Sequence, residues 1–118
     1  MALISGIGGM FFRAAEPETL SAWYETHFGI TAGAQPWQQE GGPTVFAPFR
    51  QESDYFPADK AWMLNFRTDD IATLMQNLTK AGIAVETRAE WDGEWGRFAR
   101  VYDPEGNPIE LWQPPSKA

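Results

Sequence analysis

NFRTDDIATLMQNLTKAGIA (residues 65–84) and FFRAAEPETLSAWYETHFGIT (residues 11–31) are two copies of one pattern. In each, a Phe-Arg pair leads into a helical stretch that stops at Gly-Ile. Gly29 follows Phe12 by seventeen residues, and Gly82 follows Phe66 by sixteen. The echo continues downstream, where Trp37 and then Phe46-Ala47 are answered by Trp91 and then Phe98-Ala99. Self-similarity at this scale marks a duplicated structural unit.

Each copy has the same local grammar. Met10 to Phe12 and Trp62 to Phe66 are short apolar, aromatic runs that read as strands. A helix is expected after each. Leu20, Trp23, Tyr24, His27 and Phe28 share one helical face, with Pro17 suited to the first turn and Gly29 to a left-handed stop. In the second copy Thr68 is the expected N-cap, Asp69 and Asp70 favour the helix dipole, and Ile71, Leu74, Met75 and Leu78 form the stripe before Gly82. Strand-like stretches follow: 31–37, 44–49 and 54–56 in the first half, then 84–90, 98–102 and 109–113 in the second. Asp103-Pro104-Glu105-Gly106-Asn107 is a turn signal that makes the last two a hairpin. The expected order is βαβββ, twice, in a single domain over 1–118, with module one at about 1–58 and module two at about 59–118.

A chain of 118 residues has room for one core. No apolar run is long enough to cross a bilayer and no basic residue precedes the apolar start, so the expected setting is the cytoplasm. Without cysteine there is no disulfide framework and no thiolate site, which leaves His, Asp and Glu as metal ligands, and His27 is the only histidine. A net charge of -7 with no offsetting basic patch argues against nucleic acid and against anionic membrane surfaces as partners. Six tryptophans exceed the needs of one small core, so some are expected to line a cavity or an interface.

Phe11-Phe12-Arg13 with Trp23-Tyr24 and Phe28-Gly29-Ile30, then Phe66-Arg67-Thr68-Asp69-Asp70-Ile71, then Asp103-Pro104-Glu105-Gly106-Asn107-Pro108-Ile109-Glu110-Leu111 resemble, in order, three segments of the vicinal oxygen chelate proteins. This superfamily comprises glyoxalases, bleomycin-resistance proteins and extradiol dioxygenases. The resemblance spans nearly the whole chain and implies an α+β fold in which two βαβββ modules form a cup-shaped mixed sheet. It also implies a homodimer enclosing a cavity. Catalytic members hold a divalent ion with His, Gln or Glu, and the corresponding positions here are Gly9, Met63, the Val45–Ala47 stretch and Glu110. One acid is too few for a catalytic metal site. No metal or other cofactor is therefore expected, unless loop acids such as Glu40, Glu90 or Glu94 contribute. His27, on the apolar stripe, reads as a packed side chain.

Strand alternation puts Gly9, Phe11 and Arg13 on one face, Asn65 and Arg67 on another with Met63, and Glu110 with Trp112. If the former metal positions face the cup, so do these. Arg13 and Arg67 read either as ligand anchors or as partners of a carboxylate such as Glu110. Trp37, Phe46, Trp91, Trp95 and Trp112 read either as pocket wall or as core. The stretch Glu90 to Gly96 reads either as a mobile cap over the opening or as a solvated hairpin turn. The candidate ligand-binding set is Phe11, Arg13, Trp37, Phe46, Asn65, Arg67, Trp91, Trp95, Glu110 and Trp112. Two functions fit it. One is metal-independent binding of an aromatic or cationic small molecule, as the bleomycin-resistance branch implies. The other is a glyoxalase-I-like isomerase or lyase with Glu110 as general base beside a carbonyl.

Overall fold

The computed structural model describes residues 2–116. The elements follow in the order α1 (Pro17–Phe28), β1 (Leu64–Arg67), α2 (Ile71–Lys80), a 3-10 turn (Ala89–Trp91), β2 (Arg97–Tyr102) and β3 (Pro108–Gln113). The strands make one sheet in the order β1-β3-β2, with β3 parallel to β1 and antiparallel to β2. β3 is buried along most of its length because it has a neighbour on each side and helices over one face.

Alternation gives the sheet two unlike faces. Ala99 and Val101 from β2 and Ile109 and Leu111 from β3 point to one face, where Leu20 and Tyr24 of α1 and Ile71 and Leu78 of α2 pack on them. That layer of apolar contact is the core of the fold. The expected helical stripes are therefore the buried ones, with Trp23, Phe28, Leu74 and Met75 completing the packing at the edges. His27 is half-buried and meets Trp23 edge-on at 5.3 Å.

Both helices stop at the expected glycines. Gly29 has φ 71°, and its N–H donates to the Glu25 carbonyl. Gly82 has φ 83°, and the next N–H, that of Ile83, reaches back to the Leu78 carbonyl at 3.0 Å. The start of α2 differs from expectation. Asp70, two residues beyond Thr68, is the N-cap and accepts from the Thr73 N–H at 3.1 Å, whereas Thr68 accepts from the Asp70 N–H. The hydrogen bonds from Thr73 hold the Asp70 carboxyl below its usual range. The shorter helix follows from β1 running through Arg67, which leaves Thr68 in the connection.

The turn before β3 docks α1 onto the sheet. Asp103 Oδ1 accepts from the N–H groups of Glu105 and Asn107, while Oδ2 accepts from Asn107 Nδ2 at 2.8 Å and from the Tyr24 hydroxyl at 2.6 Å. Glu105 then accepts from the N–H groups of Ala15 and Glu16 at 2.7 and 2.9 Å. Glu16 at the N-cap makes no side-chain cap bond of its own, so Glu105 supplies both acceptor and negative charge to the helix start. Burial, reinforced by the hydrogen bond and charge of Asp103, raises the Tyr24 phenol far above its ordinary range, and it stays a donor.

The halves differ in their strands. The second half keeps the expected order, but its 84–90 strand is reduced to a single bridge between Glu86 and Arg100 followed by the 3-10 turn. In the first half none of the expected strands, 10–12, 31–37, 44–49 and 54–56, pairs with another among the described residues. Gly41, Gly42 and the prolines at 36, 43 and 48 weaken any ladder there, and a strand without a neighbour has nothing to hold it extended.

Replacing Tyr24 by Phe leaves the buried Asp103 oxygen short of one donor and should cost about 1–2 kcal/mol in urea unfolding. A loss below about 0.5 kcal/mol, ordinary for a surface change, would mean that the Tyr24 bond does not anchor α1.

Candidate functional site

The sheet face turned away from the helices carries the polar and aromatic side chains. Register places Asn65, Glu110 and Arg100 side by side across β1, β3 and β2, and Arg67, Trp112 and Phe98 on the next rung of the same face. Four of these six, Asn65, Arg67, Glu110 and Trp112, belong to the candidate set, and strand alternation found them. Arg100 and Phe98 were legible in principle, because the Asp103–Asn107 turn sets the pairing of Tyr102 with Pro108 and hence that of Arg100 with Glu110.

Glu110 is buried, and each of its oxygens accepts a hydrogen bond. Oε1 accepts from Asn65 Nδ2 at 2.7 Å and Oε2 from the Tyr55 hydroxyl. Tyr55 comes from the 51–58 segment, which Phe49, Tyr55 and Phe56 consolidate through ring contacts of 5.5–5.7 Å. Burial is the main reason that its phenol is pushed up to about 12; the hydrogen bond and charge of Glu110 add to this, and Arg100 opposes it.

Arg100, only 3% exposed, lies under the same segment. Its Nη2 donates to the Tyr55 carbonyl at 3.0 Å, and its guanidinium carbon sits 5.0 Å from the Tyr55 ring centre and 5.5 Å from that of Trp91. Such cation–π contacts favour a charge removed from water. Beside this group opens a cavity of about 530 Å³, lined by residues 52–58 with Glu86, Arg88, Trp91, Arg100 and Tyr102. That size suits a small organic molecule.

The rest of the candidate set is dispersed. Arg67 lies at a second, smaller cavity of about 140 Å³ with Trp37. Among the described residues it pairs with no carboxylate. Instead its guanidinium donates to the carbonyls of Pro43 and Glu40, both at 2.8 Å, and to the Thr44 hydroxyl, holding the 40–44 loop. The alternative of an Arg67–Glu110 or Arg13–Glu110 pair therefore fails, since Arg13 is exposed and the only ion pair among the described residues joins Arg88 to Glu86. Phe11 and Phe46 are 98% and 86% exposed and lie outside both cavities.

Trp112 is buried and packed within the sheet. Its ring stacks on Phe98 at 6.1 Å, and its Nε1 donates to the Trp95 carbonyl at 2.7 Å, while the Trp95 ring itself is exposed. This bond belongs to a closed hairpin turn rather than a free flap. Gly93 and Gly96 exchange backbone bonds, and Asp92 Oδ1 accepts from the Phe98 N–H. Gly96 has φ 117°, and a Cβ there would fall 2.1 Å from the Gln113 carbonyl oxygen.

A catalytic metal does not fit these residues. Gly9 and Met63 occupy positions where the resemblance implies ligands, each Glu110 oxygen already accepts a hydrogen bond, and among the described residues no three His, Asp or Glu side chains gather, the loop acids included.

Residues 9–112 match the family described as the glyoxalase-like domain, and the chain belongs to it. Its fold is the glyoxalase/bleomycin-resistance fold. TnmS3, an antibiotic binding protein from Streptomyces sp. CB03234, superposes with a TM-score of 0.64 at 23% identity over 98% of this chain and 100% of its own. A protein from the mobile metagenome of V. Pseudocholerae gives 0.60 at 18% identity over 98% and 99%. A glyoxalase/bleomycin resistance protein from the same Streptomyces is 40% identical over 42% of each chain, with a TM-score of 0.38. No curated protein matches the chain.

Tyr55 gives a pH prediction. An unfolded tyrosine ionises near 10.0 and the folded one near 12, so the folded state holds the proton more tightly. Its stabilisation is complete below pH 10 and is lost as pH rises through 12. The difference between the alkaline absorbance titrations of wild type and Tyr55→Phe should show a step near pH 12; a step at 10 would mean that the phenol is neither buried nor held by Glu110. Gly96→Ala should destabilise by on the order of 2 kcal/mol or more in thermal unfolding.

Proposed function

We propose that this protein is a metal-independent small-molecule-binding domain that sequesters or carries an aromatic compound on the open face of its sheet. The observation that carries this reading is the state of Glu110. The one acid at a former ligand position is engaged by Tyr55 and Asn65, with an aromatic-walled cavity beside it rather than an open reacting centre. Glu110 is buried beneath Tyr55 with a hydrogen bond on each oxygen, an arrangement that supports a structural acid more than a base poised at a substrate proton. Of the two ligand chemistries expected from the sequence, the aromatic one has support from Tyr55 and Trp91, whereas the buried Arg100 charge disfavours a cation. The antibiotic-binding neighbour is compatible with this role.

The same reading includes a homodimer of two-module chains. Leu3, Ile4, Phe11, Val45 and Phe46 are 71–98% exposed, an apolar burden unusual for a self-sufficient monomer. The radius of gyration, 15.0 Å, also exceeds the value of about 13.5 Å expected for a compact domain of this length. A second copy covering the first-half segments would bury these side chains and give the unpaired stretches a neighbour.

Purified protein should contain no stoichiometric Ni, Zn, Fe or Mn, and it should not turn over a hemithioacetal. Turnover abolished by Glu110→Gln would establish the lyase instead. Light scattering should give twice the chain mass, and replacing Phe11 and Phe46 together by Asp should yield monomer. A wild-type monomer at high concentration would refute the dimer.

A further inference from the structure

We propose that Arg100 is the anion-reading residue of the cavity, and that the ligand it takes is a planar aromatic compound bearing an anionic oxygen, a carboxylate or a phenolate. The inference rests on the binding reading above and narrows it. Three observations converge on Arg100. First, its charge is buried and among the described residues no carboxylate forms an ion pair with it; Glu110, its neighbour on the rung, is instead bonded to Tyr55 and Asn65. Second, its Nε is buried and donates to nothing, the only such side-chain atom among the described residues. Third, it faces a cavity whose walls at that point are the rings of Tyr55 and Trp91, 6.2 Å apart between centres.

A buried guanidinium left without an anion is costly, and the chain withholds the obvious partner. An incoming anionic oxygen would supply it, while the ring that bears the oxygen packs among Tyr55 and Trp91. The lining also holds Glu52, Asp54 and Glu86, but all three are exposed, so water screens them, and Glu86 already meets Arg88. The one charge that the cavity presents away from solvent is positive, and it sets the sign of the ligand. The planar fork and the flanking rings select a flat ligand over a flexible one.

The test compares three probes of nearly one shape by titration calorimetry: 2-naphthoate, 2-naphthalenemethanol and 2-naphthylmethylammonium. Wild type should bind the carboxylate at least about tenfold more tightly than the ammonium compound, the return of one charge-assisted hydrogen bond. Arg100→Gln should reduce the ratio of carboxylate to ammonium affinity to about one, whatever its effect on the alcohol. Equal affinity of wild type for all three would overturn the role of Arg100 and leave the binding reading standing. No binding of any probe would overturn both. The wild-type comparison needs no variant, so a poorly folding Arg100→Gln leaves the proposal open to refutation, and Arg100→Lys with its fold checked by circular dichroism provides the second variant.

Discussion

The carboxylate of Asp103 is the point on which the architecture depends. It accepts four hydrogen bonds: three shape the turn that aligns β2 with β3, and the fourth, from Tyr24, ties that turn to α1. A buried carboxylate with fewer partners would be a liability, so satisfying it forces turn and helix into one geometry. Glu105 completes the arrangement by closing the start of α1. The helix of the first half is thereby docked on the hairpin of the second, although the two are far apart in sequence.

The candidate site is a consequence of this alignment. Once Tyr102 faces Pro108, Arg100 must lie beside Glu110, and β1 adds Asn65 to the same rung. Helices cover the other face, which leaves this one for the 51–58 segment. Tyr55 then does two things at once, since its hydroxyl closes off Glu110 and its ring and carbonyl cover Arg100. The acid is held by hydrogen bonds from Tyr55 and Asn65, while among the described residues the Arg100 guanidinium forms no ion pair. In the binding role proposed above, this is the face that would receive a small molecule.

Both helices, their buried stripes and their glycine stops were legible from the 3.6-residue period and from local backbone chemistry, and the hairpin was legible from its turn. Asn65, Arg67, Glu110 and Trp112 were legible as one face because alternation needs only the strand. Tyr55 was not, because it sits in irregular chain whose path is set by what lies beneath it. Trp112 and Trp91 look alike in sequence, yet one stacks on Phe98 and the other walls the cavity, a difference that arises from neighbours on other elements. The first-half strands were read from composition, but a strand exists only through its partner, and the described residues offer them none.

Local covalent and steric rules thus determined where this chain forms helices, where it turns and which side chains share a strand face, since each of these depends on residues a few positions apart. The depletion of metal ligands was equally plain from residue identity. Only the tertiary structure decided that Arg67 holds a loop rather than an acid, that Glu110 is hydrogen-bonded by Tyr55 and Asn65, and that Arg100 lies beside a cavity with no ion pair among the described residues. Those outcomes depend on which distant atoms compete for each donor and acceptor once water is excluded, and that competition is settled in three dimensions.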